Sequence, residues 1–257
     1  MKTLSIINLK GGVAKTVSAV NIAYGLAKTH NKRVLLVDND KQGDTSKMFG
    51  AHSYDTPSTA DIMTRAKPIK EAITPTRFEL IDVLPANMNL LSANRQVLLD
   101  STRPQQTRFK KAFEELGGKY DYCVIDNAPD INISVINALI ASHDVLIPIK
   151  IDKFALDGLS ELLDQIGACE EMNPNLRVAG CFVTCYRPTL ANSQGTKWLR
   201  ENAPAPIFNT NIRATTKIDE STFAGKPIFE YAPNSVAAQD YERLIKEYLQ
   251  RGGENHG

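Results

Sequence analysis

Apolar positions along the chain fall into short dense runs, separated by longer stretches in which they recur every three or four residues. The dense runs read as strands buried on both faces, and the spaced stretches as amphipathic helices. Strands are predicted over 4–8, 33–38, 80–84, 121–126, 145–149 and 178–184. Residues 16–29 carry Ala19, Ile22, Ala23 and Leu26 at helical spacing, and further helices are predicted over 92–99, 105–116, 133–141, 156–172 and 193–201. Alternating strands and helices are the mark of βαβ units, so the expected class is α/β, a mostly parallel twisted sheet flanked by helices on both faces.

Two stretches are less regular. Residues 50–76 are polar and contain Pro57, Pro68 and Pro75, which predicts short helices and loops packed on the sheet edge. Residues 236–250 place Ala237, Tyr241, Leu244, Ile245 and Tyr248 on one helical face, and the polar residues 251–257 are expected to form a flexible tail. One domain over 1–250 suits a chain of 257 residues.

Charge removes one class of explanation. Thirty basic and 29 acidic residues nearly cancel, so binding to nucleic acid or a membrane surface must come from a local patch. No apolar run approaches the length of a bilayer span and the amino terminus has no signal-like apolar block, which predicts a cytoplasmic protein. Cys123, Cys169, Cys181 and Cys185 lack the paired Cys-x-x-Cys spacing of a zinc site and read as buried free thiols. The alternative for Cys181 and Cys185, metal or cluster ligation, has no neighbouring histidine to support it.

The chemistry concentrates where the first strand turns into the first helix. Lys10-Gly11-Gly12-Val13-Ala14-Lys15-Thr16 occupies that turn. Its glycines let successive N–H groups converge on phosphate oxygens, and the helix start adds the positive end of its dipole. Lys15 would reach the β- and γ-phosphates, and the Thr16 hydroxyl suits magnesium, a hard cation that prefers oxygen. The general pattern G-x-x-x-x-G-K-[ST] is not met, because Leu9 and Ala14 stand at its glycines. Ala14 fits provided that its backbone avoids positive φ. Acids follow at strand ends: Asp38-Asn39-Asp40 after the second strand, and Asp126 after the apolar run of Tyr122-Cys123-Val124-Ile125. Carboxyl ends of strands are where open α/β sheets bind ligands.

The pattern K-G-G-x-[GA]-K-[ST] resembles the deviant Walker A motif of the ParA/MinD superfamily of P-loop NTPases. The Asp38-to-Asp40 and Asp126 segments extend the likeness, and so do Ile212-Arg213, Asp219-Glu220-Ser221, Gly225-Lys226-Pro227-Ile228, Tyr231 and Ala237 to Tyr241, as in ParA/Soj-type partition ATPases. Lys41 stands where the family usually has proline, and Asn127-Ala128-Pro129 departs from its usual T-P-P. The resemblance implies ATP and Mg2+ as cofactors. Lys10, Gly11, Gly12, Val13, Ala14, Lys15, Thr16 and Val17 would surround the phosphates, and Asn211 and Arg213 the adenine. Thr16, Asp38 and Asp126 would hold magnesium, and Lys10, Lys15 and Asp40 would be catalytic, Asp40 by orienting the attacking water.

In that family the lysine at the Lys10 position reaches the partner's ATP, which implies a homodimer on ATP binding, with Asp152 facing the partner's lysine or the dimer seam. Arg187, Lys197, Arg200, Arg213 and Lys217 are candidates for nonspecific DNA contacts through phosphate neutralisation. The implied function is DNA partitioning: ATP promotes dimerisation and DNA binding, and hydrolysis stimulated by a centromere-binding, ParB-like partner releases it. The ATP-bound form would be nucleoid-associated. No helix-turn-helix precedes the first strand, so operator binding is not expected. A MinD-like membrane ATPase would need a basic amphipathic last helix, whereas Asp240, Glu242 and Glu247 interrupt it. A metabolic enzyme on the same scaffold would need cluster cysteines or a substrate pocket, and the sequence displays neither.

Overall fold

The computed structural model describes residues 1–253. Its first half runs β1 (Lys2–Ile6), α1 (Lys15–Lys28), β2 (Val34–Asn39), α2 (Asp44–Met48), α3 (Thr59–Thr64), α4 (Ile69–Ala72), β3 (Thr74–Pro75), β4 (Ile81–Leu84), α5 (Asn89–Leu99) and α6 (Arg108–Glu114). There follow β5 (Tyr122–Asn127), α7 (Ile133–Ile140), β6 (Asp144–Lys150), α8 (Ala155–Glu170), β7 (Arg177–Tyr186), α9 (Leu190–Asn202), β8 (Ile207–Arg213), α10 (Thr216–Phe223), α11 (Ile228–Tyr231) and α12 (Val236–Gly253).

The eight strands form one sheet in the order β3-β4-β2-β5-β1-β6-β7-β8. Seven are parallel, and β3 alone runs antiparallel, against β4. From β1 the chain moves outward to β2 and β4, returns to β5, then crosses β1 to build the other half. The carboxyl end of β1 therefore sits at the point where the strand order reverses, the crevice that binds ligands in such sheets.

Strict alternation explains why the central strands read as unbroken apolar runs. In β2, Val34 and Leu36 enter the core beneath α1 and α12, while Leu35 and Val37 enter the core formed with α3, α5, α6 and α7. In β6, Leu146 faces the first of these, and Val145, Ile147 and Ile149 face a third beneath α7 and α8. Both faces are covered, as parallel sheets require. On α12, Ala237, Tyr241, Leu244, Ile245 and Tyr248 are all buried against α1 and β8. A Cβ at Gly25 would collide with Ile245, so glycine sets how closely α1 and α12 approach.

Several boundaries differ from the sequence reading, each for a local reason. The α6 helix starts at Arg108 rather than 105 because the buried Asn137 Oδ1 accepts from the N–H groups of Arg108 (2.6 Å) and Phe109 (3.4 Å), satisfying its first turn. The α9 helix starts earlier than 193, where the Thr189 hydroxyl accepts from Asn192 N. Residues 50–76 form α3 and α4, which pack on a face of the sheet, and the short edge strand β3. The expected tail loses its first three residues to α12. Arg251 donates to Ile207 O (3.0 Å) and pairs with Glu247, its guanidinium 4.2 Å from the centre of the Phe208 ring. The remainder of that tail, 254–257, lies outside the described residues.

Candidate active site

The loop after β1 is pinned from two neighbouring strands. Asn8 Nδ2 donates to Pro148 O (2.8 Å) while Asn8 Oδ1 accepts from Lys10 N (2.9 Å), and Thr184 Oγ1 donates to Val13 O (3.0 Å). Gly11 and Gly12 are exposed at its crest. The helix that follows has neither a side-chain cap nor an acid in its first turn. Its orphan N–H groups and dipole are left to an anion. Lys15 is buried and folds back so that Nζ donates to Lys10 O (2.9 Å). Burial lowers its pKa, opposed by the charges of Asp126, Asp40 and Asp130. Val17 is half-buried, packed against the core beneath α1 and α12.

Ala14 does not avoid positive φ. It lies in the left-handed region at φ 63°, ψ 35°, immediately before α1. The backbone turn that the motif's glycine would ease is made here by alanine, at a steric cost.

Asp38 and Asp126 end adjacent strands in direct register, both fully buried. Asp38 Oδ2 accepts from Ser46 N (2.8 Å) and Oγ (2.6 Å), and its Oδ1 from Asp40 N (3.1 Å). Asp126 Oδ2 accepts from Thr45 Oγ1 (2.8 Å), whereas its Oδ1, equally buried, has no partner. Burial pushes Asp38 up to about 6, against the hydrogen bonds from Ser46 and Asp40. Burial and then the charge of Asp38 push Asp126 up to about 7, against Thr45 and the neighbouring Thr16 hydroxyl. A buried carboxylate oxygen without a donor, beside a second acid and a hydroxyl, is a cation's environment. These residues fit magnesium. Among the described residues no three His, Cys, Asp or Glu side chains converge to cage a metal, and magnesium needs none, taking one or two carboxylates together with phosphate and water.

Two groups at the rim are held loosely. Asp40 is half-buried and its Oδ1 accepts from Gln42 N (3.0 Å). Lys10 Nζ pairs with Asp152 Oδ1 of the same chain at 2.8 Å, with the two side chains 29% and 44% exposed. Asp152, expected to face the partner's lysine or the dimer seam, pairs within this one chain with its own Lys10.

A cavity of about 560 Å³ opens beside Ala14, between the carboxyl ends of β6, β7 and β8 and the first turns of α10 and α12. Ile151, Thr184, Cys185, Arg187, Ile212, Ala214 and Tyr241 are among the residues that line it. Asn211 and Arg213 are not in that wall. Asn211 Oδ1 accepts from Arg200 (3.3 Å), and Arg213 forms a two-pronged pair with the buried Asp240 at 2.8 Å on each prong. The other basic candidates sit on two helices. Lys197 and Arg200 lie on α9, Lys197 near Glu201 (3.9 Å) and Arg200 donating to Asn209 O (2.8 Å), while Lys217 on α10 pairs with Glu220 (2.7 Å).

The sequence reading passed over Thr45 and Ser46 at this edge and assigned no contact to Asn39 or Asn127. Thr45 and Ser46 hold the two buried acids. Asn39 Nδ2 donates to Asn127 Oδ1 (2.8 Å) and Asn127 Nδ2 to Ile6 O (3.2 Å), tying the ends of β2, β5 and β1. The departure at Asn127 is thereby matched by Asn39 across the strands. Of the four cysteines, Cys123, Cys169 and Cys181 are buried, Cys185 is half-buried, and all are free thiols.

A glycine-bearing turn between a central parallel strand and an uncapped helix, facing two buried acids on the next strands, defines a P-loop NTPase. An AAA domain family model matches residues 1–178. The sporulation initiation inhibitor protein Soj of Bacillus subtilis is 34% identical over 98% of this chain and 99% of its own length. The chromosome partitioning protein ParA of Caulobacter vibrioides is 30% identical over 98% and 95%. Among solved structures, cobyrinic acid a,c-diamide synthase from Mycobacterium smegmatis, with bound ATP analog and magnesium, superposes with a TM-score of 0.85 at 26% identity, covering all of this chain and 97% of that one. The chain belongs to this AAA domain family and, within it, to the ParA/Soj-type partition proteins.

Proposed function

We propose that the protein is an ATP-dependent DNA-partitioning ATPase, a single catalytic domain over 1–250 that dimerises on ATP, binds DNA without sequence preference and releases it after hydrolysis. The observation that carries the nucleotide reading is the pairing of an uncapped α1 with two buried, in-register acids, one of which keeps an oxygen without a donor. The triphosphate lies along residues 10–17, gripped by main-chain N–H groups, with Lys15 leaving Lys10 O to reach its outer oxygens. Thr16, Asp38 and Asp126 would hold Mg2+, which would supply positive charge to offset that of the phosphates. Asp40 orients the attacking water, and the base enters the cavity beside Ala14 and Tyr241. Lys10, once released from Asp152, neutralises charge at the partner's nucleotide.

Family membership supports partitioning as the purpose, with a ParB-like partner that stimulates hydrolysis and a cytoplasmic, nucleoid-associated site of action. The last helix supports this over a MinD-like membrane role. Its apolar face is buried, and Arg243, Lys246 and Arg251 are paired with Asp240, Glu242 and Glu247. Among the described residues no helix is long and apolar enough to cross a membrane.

The reading is tested by retention of the protein on DNA with ATP, ADP or no nucleotide across a salt series, beside sedimentation with anionic liposomes. ATP-dependent retention that fades with salt is expected, and Lys217→Ala should weaken it while nucleotide affinity stays. Retention on liposomes instead of DNA would overturn it.

A further inference from the structure

We propose, resting on the nucleotide reading of the site, that Thr45 is a positioning residue for magnesium, acting by holding the Asp126 carboxylate. Thr45 is fully buried and its hydroxyl donates to Asp126 Oδ2 at 2.8 Å. With Oδ2 engaged, Oδ1 is the buried oxygen left without a protein donor, in a carboxylate that also neighbours the Thr16 hydroxyl. A carboxylate with one oxygen held and the other free is fixed in orientation and keeps a cation-facing lone pair, which is how a neighbouring hydrogen bond tunes a metal ligand.

The short α2 helix fixes Thr45 in turn. Gly43, at φ 68°, starts it, and a Cβ there would stand 2.7 Å from Ala86 O, so only glycine turns the chain at this point. Ser46, the next residue, grips Asp38 through both N and Oγ, and its Oγ accepts from Ala86 N (2.8 Å). One turn of helix therefore clasps both acids and is continuous with the loop that carries Asp40. Asp38 is held twice over, whereas the Thr45 hydroxyl is the hydrogen-bond donor to Asp126. Loss of that one hydroxyl should loosen Asp126 without freeing Asp38.

The experiment is calorimetric titration of ADP into the full chain, in EDTA and across a magnesium series, for the wild type, Thr45→Val and Thr45→Ser. Thr45→Val keeps the shape and removes the donor. It should raise the half-saturating magnesium concentration about tenfold, leave ADP affinity in EDTA unchanged, and be rescued by Thr45→Ser. Should Thr45→Val fail to fold, Thr45→Ala carries the same expectation. An unchanged magnesium requirement in the valine or alanine variant, or a serine variant as impaired as valine, would overturn the inference. A wild type that binds no ADP at any magnesium concentration would instead overturn the nucleotide reading on which it stands.

Discussion

Replacement of Ala14 by glycine should stabilise the protein. The residue sits at φ 63°, ψ 35° in the turn before α1. An L-residue in that region carries a cost of about 1–2 kcal/mol, from Cβ against the following carbonyl. Glycine removes the cost but adds roughly 0.5–1 kcal/mol of entropy to the unfolded chain. The difference favours Ala14→Gly by about 0.5–1 kcal/mol, a rise in Tm of about 1–4 °C for a chain of this size. Differential scanning calorimetry without nucleotide measures it. Ala14→Val is the opposing control: a β-branched side chain at positive φ should cost about 1–3 kcal/mol, and it would also enter the cavity beside the loop. ADP affinity should move little in the glycine variant, because the loop is pinned by Asn8 and Thr184 rather than by the side chain at 14. A lower Tm for Ala14→Gly would refute the strain argument.

Asp152→Asn should shift Tm by no more than about 4 °C, since a pair this exposed contributes about 0.2–1 kcal/mol. It should strengthen ATP-dependent self-association in sedimentation velocity, and weaker association would place Asp152 at the seam rather than as a restraint on Lys10. Asp144, buried against Lys2, Arg177 and Tyr248, has its pKa raised by burial but lowered overall by those partners. Its stabilisation is present above the ordinary aspartate range and lost as pH falls through and below about 4, so Asp144→Asn should cost about 3 kcal/mol at pH 7 and flatten the acid limb of a Tm-against-pH curve. Asp38 and Asp126 work in the opposite direction. Raised to about 6 and about 7, they add stability at low pH that is lost as pH rises through those values. In EDTA, Asp126→Asn should remove part of that loss, and a slope between pH 5 and 8 identical to wild type would contradict the assignment.

The interior of the sheet was legible because burial on both faces forces apolar residues into consecutive positions. All six strands expected from the sequence exist, displaced by a few residues at their ends. The two that were not expected are edges. The β8 strand alternates Phe208 and Ile212 in the core with the exposed Asn209, and β3 is two residues ending in Pro75. The turn after β1 and both strand-end acids were legible because each follows directly on a buried apolar strand. The clasp of Thr45 and Ser46 was not, because a five-residue helix has no periodicity to detect. The cavity beside Ala14 shows how finely a strand discriminates. Ile212 of β8 and Ala214 just beyond it line that cavity while Asn211 and Arg213 do not, since consecutive strand residues point to opposite faces.

The site divides by how firmly its charges are held, and that division suggests how it works. Lys15, Asp38 and Asp126 are buried within a framework set by β1, β2, β5 and α2, where leaving a charge unpaired costs several kcal/mol. They cannot relax cheaply, so they wait for compensating charge, which a magnesium-bound triphosphate would bring. Lys10, held by an ion pair worth about 1 kcal/mol at most, can leave Asp152 at little cost. Under the proposed function, nucleotide binding would draw on the rigid part, and assembly with a second copy on the loose part. The two events can be separated by substitution, with Asp126 acting on the first and Asp152 on the second.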